Sequence, residues 1–128
     1  VACALLGVDA ATLQRERDTL GPLLETFVLQ ELRRQASGRS EPLSFFHFRD
    51  RDDFEVDIVI ERGAGQVAGV EVKAAASVAE RDLRGLRKLK EAAGRRFASG
   101  VVLYDGEAGI DFGDGLYAVP LRTLWEGP

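Results

Sequence analysis

Residues 44–74 read SFFHFRDRDDFEVDIVIERGAGQVAGVEVKA, and this stretch decides what kind of fold the chain can form. Ser44–Arg49 is short and aromatic, and Glu55–Glu61 (EVDIVIE) alternates acidic with β-branched residues. The polar run Asp50–Asp53 between them has turn chemistry, so the pair predicts a β-hairpin. Gly63, Gly65 and Gly69 punctuate the way into Val70–Ala74 (VEVKA), which predicts a third strand pairing with the second. Successive strand side chains alternate, so Glu71 and Lys73 share one face while Val70 and Val72 take the other.

Working outward, Gly21-Pro22 predicts a helix start, with Pro placed where its missing N–H costs nothing. Leu24, Phe27, Val28 and Leu32 then recur at helical spacing, and the helix is expected to run out near Gln35–Gly38. Downstream, Ser77-Val78-Ala79-Glu80 has the spacing of a capping box. It predicts a second helix reaching about Ala93, burying Val78, Leu83, Leu86 and Leu89, with Gly85 a tolerated weakness. Ala98–Tyr104 and Leu116–Val119 read as further strands, the last stopped by Pro120 before Leu121–Trp125. The order helix, three strands, helix, strand, strand predicts an α/β fold: a central mixed sheet with helices on both faces.

The 128 residues suffice for one domain, and the balance of 45% hydrophobic and 30% charged residues is that of a globular protein. Cys3 alone cannot form an internal disulfide, which makes a cytoplasmic setting the expectation. No apolar run approaches the roughly 18 residues of a membrane span, so no membrane partner is expected. The chain lacks an initiator Met; it is expected to be a piece of a longer protein, with residues 1–19 the tail of a preceding segment and residues 20–128 a single domain. With 17 Lys and Arg against 21 Asp and Glu, bulk electrostatics cannot hold duplex DNA. A nucleic-acid role must rest on a local patch or on metal ions.

Chemistry concentrates in the strands. If Asp57 lies across from Glu71, two carboxylates come within a few ångströms, and their repulsion is relieved by a divalent cation. Oxygen ligands suit Mg²⁺ or Mn²⁺, which leaves Lys73 free to orient a metal-bound water or to stabilise charge on a phosphate. On the first helix Glu25 projects at about 200° from Leu23, at the edge of the apolar arc, and can reach the rim of such a site. Glu31, at about 80°, is either a buried, paired acid or a group supporting the site. Arg81, Arg84, Lys88 and Arg95 fall within about 60° of one another on the second helix and can hold phosphates; the alternative is a solvated face paired with Glu80 and Glu91. Arg49 and Arg51, set among Asp50, Asp52 and Asp53, read as a charged turn able to touch substrate at the rim. One His and one Cys exclude an ordinary zinc site. No GxxxxGK[ST] loop is present for ATP. The three strand residues also admit a plainer reading, as weak surface ion pairs on a solvated face.

Glu25 in LLETFVLQEL (residues 23–32), Asp57 in FRDRDDFEVDIVI (residues 48–60) and Glu71 with Lys73 in GVEVKA (residues 69–74) carry a resemblance. Their order and spacing resemble the PD-(D/E)XK, or restriction-endonuclease-like, superfamily, and more closely the C-terminal domain of unknown function 4143 of AAA-type ATPases. The resemblance spans about residues 20–126. It implies a restriction-endonuclease-like sheet, Asp57 and Glu71 as metal ligands, Lys73 as the catalytic lysine and Glu25 as the helix-borne acid. It further implies a Mg²⁺- or Mn²⁺-dependent nuclease acting on nucleic acid, DNA being the expected polymer, with an ATPase domain upstream in the same polypeptide and a homodimer as a family-level expectation. The superfamily also includes domains that kept the fold and lost activity, so a docking module of the ATPase is the alternative. The Pro of the superfamily name is absent, since Val56 precedes Asp57.

Overall fold

The computed structural model describes residues 10–63 and 65–126. Cys3 and residues 1–9 of the expected preceding segment lie outside them. The elements are α1 (Ala10–Ala36), β1 (Leu43–Arg49), β2 (Glu55–Arg62), β3 (Val67–Lys73), a 3₁₀ turn (Glu80–Leu83), α2 (Arg84–Ala93), a second 3₁₀ turn (Gly94–Arg96), β4 (Phe97–Tyr104), β5 (Ile110–Gly113), β6 (Leu116–Pro120) and α3 (Thr123–Glu126).

The expected α/β class holds. Six strands form one mixed sheet in the order β1-β2-β3-β4-β6-β5. β1, β2 and β3 are an antiparallel meander, β4 and β6 run parallel to β3, and β5 returns antiparallel along β6. Parallel neighbours need a crossover, which α2 supplies between β3 and β4. Val28 of α1 packs on one face against Ile58, Val70, Leu103 and Leu121. On the other face, Leu83, Leu86 and Leu89 cover Val56, Val59, Val102, Leu116 and Ala118. No helix among the described residues is long and apolar enough to cross a membrane.

Several local expectations need correction. α1 does not start at Gly21-Pro22; it runs through Pro22, which offers no N–H to the carbonyl four residues back. The Thr26 hydroxyl donates to the Pro22 carbonyl at 3.0 Å. The second helix is not capped by Ser77 and Glu80. The Ala79 N–H donates instead to the Asp82 carboxylate at 2.7 Å, and Glu80 binds Arg87. β3 begins at Val67, three residues earlier than expected, and β5 was not expected at all. The turn into β6, Asp114-Gly115, has φ of 57° and 79°, the left-handed pair that Asp-Gly favours in tight hairpins.

Gly85 is a requirement rather than a weakness. A Cβ there would lie 2.0 Å from the carbonyl oxygen of Glu55, because the start of α2 rests directly on the start of β2.

Candidate functional site

The site begins with an irregularity in β2. Phe46 pairs with Val59 and Phe48 with Val56, so two steps on β1 span three on β2. The extra residue is a β-bulge at Asp57-Ile58, and it breaks the alternation of faces. Val56 accordingly packs under α2, whereas Ile58 packs toward α1.

The β2–β3 ladder ends within the bulge, at Ile58 opposite Val70. Beyond that pair, side chains replace main chain. The Asp57 N–H donates to Glu71 Oε1 at 2.8 Å, and the Val72 N–H donates to Asp57 Oδ2 at 2.8 Å. Each acid is thus held by the strand that carries the other. Hydrogen bonds to a charged acceptor are stronger than neutral ones and fix both carboxylates in place.

The electrostatics follow from this crowding. Burial first, and then the charge of Asp57, push Glu71 up to about 8, against the Asp57 N–H, which pulls the other way. Burial also raises Asp57, opposed by the Val72 N–H and by His47. Glu25 is raised by burial and next by Asp57. Two neighbouring acids that cannot both ionise cheaply hold a proton near neutral pH or exchange it for a cation.

The acids open into two hollows. Glu71 and Lys73 line a cleft of about 510 Å³ beside α2, together with Asp82, Arg81, Arg84 and Glu55. Asp57 lines a smaller cavity of about 250 Å³ beside α1, with Glu25 and His47. The structure therefore brings all four expected residues to one end of the β2–β3 pair, while dividing them between two sides. Among the described residues, no group of three or more His, Cys, Asp or Glu side chains is assembled as a ready-made cage for a metal ion.

Lys73 already has a partner. Its ammonium is hydrogen-bonded to Asp82, which also takes the Ala79 N–H. Burial works to raise the Asp82 carboxyl, but these two bonds outweigh it and hold the group below the usual carboxylate range. The sequence reading missed Asp82, although an acid placed three residues after Ala79 could have been weighed as the helix-start acid in place of Glu80. Nor did it single out His47, which lines the cavity of Asp57 and Glu25.

The remaining candidates separate. Glu31 is a buried, paired acid, gripped by Arg34 at 2.6 Å on the same helix. Arg49 is bound by Glu55 at 2.6 Å rather than poised at the rim. Lys88 lies 5.4 Å above the Phe54 ring and 3.8 Å from Glu91, so it has left the cleft, and Arg95 falls beyond the end of α2. Of the expected phosphate-binding stripe, only Arg81 and Arg84 line the cleft.

A family model described as Domain of unknown function (DUF4143) matches residues 20–124. No curated protein and no solved structure matches.

Proposed function

We propose, for a chain that belongs to the DUF4143 family, the role of a metal-dependent, nuclease-like domain of the PD-(D/E)XK type that hydrolyses phosphodiesters. The observation that supports this reading is the reciprocal anchoring of Asp57 and Glu71 across β2 and β3, with Lys73 beside Glu71. Paired hard-oxygen donors, one of them raised to about 8 by burial and by the neighbouring Asp57 charge, suit Mg²⁺ or Mn²⁺. A divalent cation held by Asp57 and Glu71 would supply Lewis acidity and a more acidic water. Lys73 lines the cleft with Glu71 and can stabilise a phosphate oxygen, with Asp82 fixing the ammonium. Glu25 faces the Asp57 side and can hold a proton or order water there. In the same reading the domain acts in the cytoplasm on nucleic acid, follows an AAA-type ATPase domain in one polypeptide, and can pair as a homodimer.

Calorimetry with Mn²⁺ tests the acids, and cleavage of labelled DNA and RNA tests the chemistry. Wild type should bind the ion and cut; Asp57→Asn and Glu71→Gln should lose the binding heat. Lys73→Ala should lower cleavage by about 100-fold or more without unfolding the domain. Undiminished cleavage by Lys73→Ala would remove that residue from the mechanism.

A second reading, a docking module of the ATPase without catalysis, draws on the separate hollows of Asp57 and Glu71 and on the engagement of Lys73 by Asp82. It predicts neither Mn²⁺ heat nor cleavage.

A further inference from the structure

The cleft beside α2 is lined by side chains of both charges. Arg81 in the 3₁₀ turn and Arg84 at the start of α2 are three residues apart, where 3₁₀ geometry aligns side chains on one side. Both are exposed, and among the described residues neither has an ion-pair partner. This sets them apart from their neighbours on the same helix. Arg87 is bound by Glu80 at 2.7 Å, and Lys88 lies 3.8 Å from Glu91. The end of the β1–β2 hairpin also lines the cleft, through Asp53 and Glu55. Arg49 pairs with both, 3.8 Å from Asp53 and 2.6 Å from Glu55, yet residues 49–55 still carry four acids against two arginines.

We infer that this cleft accepts one phosphodiester backbone and rejects a second, so that the polymer it binds is single-stranded nucleic acid, with Arg81 and Arg84 holding neighbouring phosphates. The choice of nucleic acid rests on the nuclease-like reading above; the choice of one strand rests on the net acidity of the hairpin that lines the cleft along with the two arginines. Phosphate contacts by arginine position a backbone without reading its sequence. A duplex carries a second backbone across a groove roughly 6–12 Å wide, which would bring phosphates against the acidic hairpin. The volume, about 510 Å³, is that of a small-ligand site and suits nucleotides of one strand.

The test is fluorescence anisotropy in EDTA, where binding is read without cleavage, using labelled oligodeoxythymidylate and a duplex of equal length. The single strand should bind at least about tenfold more tightly than the duplex. The Arg81→Ala/Arg84→Ala double variant, checked for an unchanged melting temperature, should weaken it by about tenfold or more and reduce the log–log salt slope by about 1.4. Equal affinity for the duplex, wild-type binding by the double variant, or no binding of either polymer overturns the inference. Mg²⁺-dependent cleavage by a protein that fails this binding test would sink the inference alone. Selective, arginine-dependent binding with neither Mn²⁺ heat nor cleavage would sink the hydrolytic reading alone.

Discussion

The two ends of the β2–β3 pair are built differently. From Ile58 to Glu61 the strand pairs conventionally with Val67–Val70, and its buried residues Ile58 and Val59 join the cores on opposite faces. At Asp57 the partner on β3 is no longer main chain but the Glu71 carboxylate, and Val72 likewise turns to Asp57. The first end gains stability from apolar burial. The second holds carboxylates that ordinary pairing would leave to solvent. A bulge of a single residue is enough to convert one arrangement into the other.

The sharpest way to probe this contrast is to cut into the closed end. Ile58→Ala removes a fully buried side chain and should cost about 3–4 kcal/mol in denaturant unfolding, with metal-binding heat kept where the fold survives.

At the open end, Gly85→Ala should cost about 3 kcal/mol, because its Cβ meets the Glu55 carbonyl. An exposed helical glycine would instead gain about 1 kcal/mol from the same change. A stabilised Gly85→Ala variant would show that α2 does not rest on β2 as described.

Titration separates the ends next. Glu71 is raised in the folded state, so its contribution is fully present below pH 4.5 and is lost as pH rises through about 8. Without metal, stability should fall over that window by up to about 1.4 kcal/mol per pH unit. Glu71→Gln should flatten the profile and exceed wild type at the alkaline end; added Mn²⁺ should restore wild type there and leave the variant unmoved. Parallel profiles would mean that Glu71 carries no buried charge.

The smallest expected effect belongs to Asp82→Ala. It removes the acceptor for the Ala79 N–H and should cost about 1 kcal/mol by thermal unfolding. In the nuclease-like reading it should also lower cleavage, since the Lys73 ammonium loses its anchor. A loss of stability with unchanged cleavage would confine Asp82 to capping.

Much of the fold was legible because the signals are local. Apolar residues at helical spacing marked α1 and α2, alternation marked β2, and Leu83, Leu86 and Leu89 were read as core and are buried. The misses share a cause. Gly21-Pro22 looks like a helix start to anything that sees only the residues nearby, yet Ala10 onward continues the same helix. Asp114-Gly115 was a readable hairpin turn, overlooked because the strand before it, Ile110–Gly113, is only four residues long and mostly exposed. For the site, the sequence pointed to Glu25, Asp57, Glu71 and Lys73, and all four lie at one end of β2 and β3. It did not point to Asp82 or to the role of Gly85, both of which act through contacts made between elements.

The sequence by itself determined most of the helices and strands, β5 excepted, and which of their faces are apolar, since periodicity is written in neighbouring residues. Only the tertiary structure decided that Val56 and Ile58 face opposite layers, that Asp57 and Glu71 exchange backbone partners, and that Lys73 belongs to Asp82. These depend on the register of β1 against β2 and on how closely α2 lies on the sheet. Packing of the whole core sets both, so no local pattern can encode them.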